Sequence, residues 1–166
     1  MSAPPAFHND LQPLAWLAGT WETKNGLCQY PTMKDFQYHE ELEFICIGQP
    51  MFNYTSKAVH PEKGTPLHQE RGFLRVKPGT KELAFMVSHN FGLTSLEEGH
   101  FDESTHVIDL SSVSLSRMSF AKPPAVLRFK RTIKLLDENT LQVTVYMETE
   151  NTELCKHLEA TYSRKV

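Results

Sequence analysis

From Gly19 onward the chain alternates apolar and polar residues with a period of two, segment after segment, almost to its end. That periodicity constrains the fold more than any other feature. In a strand, successive side chains point to opposite faces, so each such segment has one greasy and one wet side. Phe36, Tyr38, Leu42, Phe44 and Cys46 alternate with Gln37, His39, Glu41 and Glu43. Later, Leu83, Phe85 and Val87 mark one face of a segment, and Leu141, Val143, Val145 and Met147 oppose Gln142, Thr144, Tyr146 and Glu148. In the last segment Leu158, Ala160 and Tyr162 oppose His157, Glu159 and Thr161. Turn residues separate the runs: Gly48-Gln-Pro50, Pro61-Glu-Lys-Gly64, Pro78-Gly79, Asn90-Phe-Gly92 and Asp137-Glu-Asn139. The pattern predicts about ten strands of roughly 8 to 12 residues in an all-β, antiparallel up-and-down barrel. Closure removes the unpaired edges that such long strands would otherwise expose. A barrel of about ten strands is too wide for its side chains to fill, so an interior site is expected before any motif is read.

One short helix precedes the strands. Asn9 or Asp10 supplies a cap, Pro13 an early helical position, Leu14, Trp16 and Leu17 an apolar side, and Gly19 the stop. We expect a flexible leader over residues 1–10 and one domain over 11–166. The irregular stretch Ser119–Ala125 reads as a loop at a barrel end.

Charge and cysteine content narrow the function classes. Net charge is −3, with 17 basic and 20 acidic residues dispersed along the chain, so nothing resembles a nucleic-acid footprint. No stretch reads as a secretory signal or an apolar span, so no membrane partner is expected. Cys28, Cys46 and Cys155 are odd in number and widely spaced, which suits free thiols in the cytoplasm.

Most chemistry-bearing residues have bland readings. Glu40-Glu41 and Glu97-Glu98 point to opposite faces within strands and read as solvated charge. His39 and His106 read as surface residues, His8 lies in the leader, and His89 and His100 sit beside turns. His157, in the last strand, and His68, at the start of another, are placed to line the mouth of a barrel. The residues alone do not choose what they would hold.

Read in order, several local sequences resemble the nitrobindin family. They are Pro13-Leu-Ala-Trp-Leu-Ala-Gly-Thr-Trp21, Tyr30-Pro31-Thr32, Phe36-Gln37-Tyr38-His-Glu-Glu, Gly48-Gln-Pro50, Pro66-Leu-His68 with Gly72-Phe73, and His157-Leu158. The resemblance implies a ten-stranded barrel with ferric haem b at its mouth, His157 as axial iron ligand and Thr32 as a haem contact. It places Leu67 and His68 across the pocket and makes Met147 a pocket wall, although barrel core explains Met147 equally well. Members of the family bind nitric oxide and isomerise peroxynitrite to nitrate, and those small molecules are the implied partners, with a homodimer left open. Lys130 and Arg131 are candidate partners for haem propionates. The family's G-x-W-x-G-x-G is reduced here to Gly19-Thr-Trp21 with a displaced Gly26, which leaves the local shape of that strand open. Two other readings stand beside this one. The barrel also reads as a haem-free carrier of fatty acids or other apolar small molecules, with Arg128, Arg131 and Tyr162 meeting a carboxylate, or as a haem-based sensor acting through a partner protein.

Overall fold

A computed structural model describes residues 5–166. After a 3₁₀ helix, Asn9–Leu17, come ten strands: β1 (Gly19–Tyr30), β2 (Met33–Cys46), β3 (Met51–Val59), β4 (Pro66–Val76), β5 (Glu82–His89), β6 (Leu93–Asp102), β7 (Val107–Arg117), β8 (Val126–Asp137), β9 (Thr140–Thr149) and β10 (Thr152–Lys165). Each strand pairs with its sequence neighbour, and β1 pairs with β10, so the sheet closes into an antiparallel up-and-down barrel. The expected architecture is therefore the observed one. The Ser119–Ala125 stretch lies in the β7–β8 connection, as anticipated.

The helix is of the tighter 3₁₀ type, and its sequence explains why. Leu11, Leu14 and Leu17 recur every three residues and all are fully buried; in a 3₁₀ helix residues three apart eclipse, so they form one apolar edge. Burying each contributes about 1.5–3 kcal/mol. The cap differs from expectation: His8 precedes the helix and its Nδ1 accepts from the Asp10 N–H at 3.2 Å, while Asn9 and Asp10 lie inside. A leader over 1–10 concerns in part residues 1–4, which lie outside the described residues. Beyond them, Phe7 rests 6.0 Å from Phe52 and the helix begins at Asn9.

The helix covers one end of the barrel. Asp10 accepts from the Gly79 N–H in the β4–β5 turn at 3.1 Å, and Trp16 meets His106 of the β6–β7 turn edge-on at 5.8 Å. At the exit, Gly19 takes φ +115°, a left-handed value that glycine adopts without strain. Arg164 of β10 donates to the Ala18 and Trp16 carbonyls at 2.7 and 2.8 Å while lying 4.1 Å over the Trp21 ring. The last helical carbonyls are thus satisfied by the strand that closes the barrel.

The strand order puts the β1–β2, β3–β4, β5–β6, β7–β8 and β9–β10 turns together at the opposite, uncovered end. Its rim is apolar: Met33, Phe36, Phe91, Met118, Phe120 and Leu127 are all exposed there.

Candidate functional site

Beneath that rim lies a cavity of about 70 Å³. Phe129, Ile133, Val143, Val145, Met147 and Leu158 give it apolar walls, while His68 and His157 supply imidazoles. Of the residues singled out from sequence, His68, Met147 and His157 come together here. Thr32 lies exposed in the β1–β2 turn at the same end, and Leu67 is half-buried beside His68; neither lines the cavity.

His157 reaches the cavity through an irregularity in the ladder. Lys156 pairs with Tyr146 and Leu158 with Val145, so His157 is an extra residue in β10, a β-bulge. Strict alternation puts His157 on the wet face opposite Leu158, with Cys155 and Thr161; the bulge instead lets His157 and Leu158 line the same pocket. Its Nδ1 lies 3.4 Å from the Gln29 carbonyl and 3.8 Å from the Cys28 thiol. With Nδ1–H donating to that carbonyl, Nε2 keeps its lone pair. Tyr30 packs edge-on against the ring at 5.0 Å and is itself fixed by its hydroxyl donating to the Met147 carbonyl at 3.0 Å. Burial holds the His157 pKa below its ordinary value despite the Gln29 contact. The imidazole is therefore neutral, oriented and able to donate an electron pair. Burial likewise raises the Cys28 thiol to about 11, with Asp35 adding to the effect, so the neighbouring sulfur stays protonated.

The interior below the mouth is more polar than the sequence reading allowed. Glu97 is fully buried and Glu40 points inward, which corrects the reading of both acidic pairs as solvated charge: one member of each pair faces in. Glu40 accepts from the Ser56 and Tyr162 hydroxyls. Burial raises its pKa from 4.5 to about 7, against the lowering effect of those two hydrogen bonds. Arg131 is buried too and cannot meet a propionate at the rim. It donates to Glu97 at 3.1 and 3.2 Å and to Glu70 at 3.1 and 3.3 Å. Lys130, the other candidate, lies exposed on the outer face. Tyr162, engaged by Glu40, is not free for a ligand carboxylate; Arg128 pairs outside with Glu148 at 2.8 Å.

His89, set aside as a residue beside a turn, is also buried, stacked 5.4 Å from Phe129 and 3.0 Å from His68 Nε2 through its own Nδ1. Its signal was present in the sequence, because it continues the inward series Leu83, Phe85, Val87. Glu70 and Arg131 follow the same rule, sharing parity with Leu74 and with Phe129 and Ile133. Burial pushes the His68 pKa down to about 4, with Glu70 partly opposing it. For Glu70 burial works upward, but Arg131 and then His89 hold the carboxyl well below its usual range.

Gly26, the displaced glycine, lies where the β1–β2 register shifts, and a Cβ there would stand 2.4 Å from the Tyr38 ring. It makes room for a buried tyrosine at the cavity wall. Among the described residues no helix is long and apolar enough to cross a membrane, and the three cysteines are free.

Comparison with known proteins adds to this geometry. Residues 10–164 match the model of a family described as THAP4-like, heme-binding beta-barrel domain. Peroxynitrite isomerase THAP4 of Rattus norvegicus is 39% identical over 162 residues, covering 97% of this chain and 28% of that protein. The chain thus spans little more than a quarter of that relative. Peroxynitrite isomerase 2 of Mycobacterium ulcerans (strain Agy99) is 35% identical over 163 residues, 98% of this chain and 99% of the relative. The crystal structure of Rv2717c from M. tuberculosis superposes with a TM-score of 0.87 at 30% identity, covering 97% of this chain and 100% of the other.

Proposed function

Because this chain belongs to the THAP4-like, haem-binding β-barrel family, we propose that it holds ferric haem b at the open end of its barrel, with His157 as the axial ligand, and isomerises peroxynitrite to nitrate. The observation that carries the reading is the state of His157: neutral, its Nδ1 engaged by Gln29, and its ring set in the cavity wall with Met147 and Leu158. Ligating histidines are usually fixed in this way, through a hydrogen bond from the nitrogen that does not bind metal. The relatives named peroxynitrite isomerase supply the reaction class.

When bound, the haem would supply a Lewis-acidic iron with one coordination position left for a small anion or nitric oxide. The protein's contribution is placement and access. His157 presents Nε2 from a strand whose bulge sets its position. Met147, Leu158, Phe129 and Val145 keep water from the inner face, and the apolar rim offers Phe91 and Met33 to a flat macrocycle. Thr32 and Leu67 act as contacts at that rim, and His68, neutral near pH 7, faces the cavity from the other side. The free thiols suit a cytoplasmic setting.

The fatty-acid reading gains no such support. Arg131 is already saturated by two carboxylates and Tyr162 by a third, so the interior offers a ligand carboxylate repulsion rather than a partner.

The test is a hemin titration of the purified chain followed at the Soret band, beside His157→Ala. We expect saturable one-to-one binding that the variant loses, and accelerated conversion of peroxynitrite to nitrate by the loaded wild type alone. Equal hemin binding by the variant would remove His157 from the role assigned to it.

A further inference from the structure

We propose that His68, Glu70 and His89 form a second site, for a divalent first-row metal ion such as Zn²⁺, in the cavity wall. The site shares His68 with the pocket assigned to haem but does not include His157, so the two readings can be tested apart.

The geometry comes first. His68 Nε2 and His89 Nδ1 are 3.0 Å apart, His89 Nδ1 and Glu70 Oε1 3.3 Å, and His68 Nε2 and Glu70 Oε1 3.5 Å. Metal bonds of about 2.0–2.1 Å give donor–donor edges of roughly 3.3 Å in tetrahedral and roughly 2.9 Å in octahedral coordination. The three donors therefore already form one face of a coordination polyhedron. Two imidazoles and one carboxylate suit Zn²⁺, Co²⁺ or Fe²⁺ rather than Ca²⁺ or Mg²⁺.

Hydrogen-bond accounting points the same way. Glu97, gripped by Arg131, can only accept, so the Ser95 hydroxyl donates to it at 3.1 Å. Ser95 Oγ must then accept from His89 Nε2–H, also at 3.1 Å. In a neutral imidazole that leaves a lone pair on Nδ1, 3.0 Å from His68 Nε2 and 3.3 Å from Glu70 Oε1. A proton on His68 Nε2 can bridge to that lone pair at 3.0 Å, but it leaves His89 Nδ1 and Glu70 Oε1 facing each other as two acceptors. A proton on Nδ1 would serve one neighbour, whereas a metal ion serves all three donors.

Charge is also out of balance. Glu70 and Glu97 are both buried, and Arg131 is the one Lys or Arg pairing with either among the described residues. The cluster carries a surplus negative charge inside the barrel, which is costly without a partner. The surplus sits toward the histidines. Glu70 Oε2 takes the Tyr54 hydroxyl at 2.8 Å and Arg131 Nη1 at 3.1 Å, while Oε1 keeps only a longer contact to Arg131 Nη2, at 3.3 Å, beside the imidazoles. Such support of a carboxylate's far oxygen, and of His89 through Ser95, is what outer-shell partners of metal ligands provide. His68 and Glu70 also line the cavity, so positions left open on the metal would be completed there by water or a small anion.

The experiment is a Co²⁺ titration of chelator-treated protein, read by the visible d–d absorption and by displacement with Zn²⁺. One Co²⁺ per chain is expected, displaced by Zn²⁺. His68→Ala alters a partly exposed side chain, and Glu70→Gln removes the surplus charge, so both should fold, as thermal melts will check. Each should weaken Co²⁺ binding at least about 100-fold, more than loss of an outer-shell partner does. His157→Ala should bind Co²⁺ as the wild type does, whatever its effect on hemin. The proposal is overturned if the wild type shows no stoichiometric Co²⁺ bands, or if both variants titrate unchanged. It also falls if ¹⁵N NMR finds His89 protonated at Nδ1 with Zn²⁺ in excess.

Discussion

Glu40 makes an interior carboxyl into a measurable pH dependence. Replacing it by glutamine (Glu40→Gln) keeps its shape and leaves one oxygen to accept from Ser56 or Tyr162, but removes its proton equilibrium. The structure raises the Glu40 pKa from 4.5 to about 7, burial being the main cause. At about 1.4 kcal/mol per tenfold change in proton concentration, that rise corresponds to ~3 kcal/mol. The folded state binds this proton more tightly than the unfolded chain. The contribution is therefore fully present below pH 4.5, shrinks between 4.5 and 7, and is lost above 7. Urea unfolding of haem-free wild type and Glu40→Gln across pH 4.5–8.5 isolates the effect, because groups such as His68 cancel in the difference. The glutamine variant should gain about 3 kcal/mol relative to wild type between the two ends of that range. A difference that stays constant with pH would refute the reasoning and return Glu40 to solvent.

Arg131→Met should cost about 3–5 kcal/mol in urea unfolding, because it strands Glu70 and Glu97 without a cation. Adding Glu70→Gln and Glu97→Gln should recover most of the loss, and a single variant as stable as wild type would contradict the pairing described. Gly72→Ala should cost about 3 kcal/mol in the same assay, since its Cβ would stand 1.8 Å from the Met86 carbonyl oxygen, a backbone atom held in the β4–β5 ladder.

Much of this was legible from alternation alone. Ten strands, the closing helix and the irregular β7–β8 connection all follow from where the period holds and where glycine and proline break it. Parity also carried more than was taken from it. Glu40 shares the face of Tyr38 and Leu42, and Arg131 that of Phe129 and Ile133. Charge argued for solvent at Glu40 and Glu97, and the argument failed because Glu97 meets Arg131 across strands far apart in sequence, while burial raises the Glu40 pKa and two hydroxyls engage its oxygens. Arg131 meets Glu70 and Glu97 from β4 and β6, a contact no local pattern encodes. His157 shows the opposite failure. There parity pointed outward, and a single extra residue in β10 turned the side chain into the cavity. A bulge leaves no reliable mark in an alternating sequence, so its place emerges only from the paired strands.

The seam between β1 and β10 sets the order in which this barrel can be made. Leu27 pairs with Glu159 and Cys28 with Leu158, so the contacts that close the sheet join its first strand to its tenth, the one made after the other nine. Until β10 emerges, β1 and β9 each present an unpaired edge, and neither the wall that bears His157 nor its Gln29 contact exists. Such distant pairing makes for slow folding. The nascent chain therefore has no half-built pocket in which to trap a ligand early: completion of the sheet and creation of the site are one event.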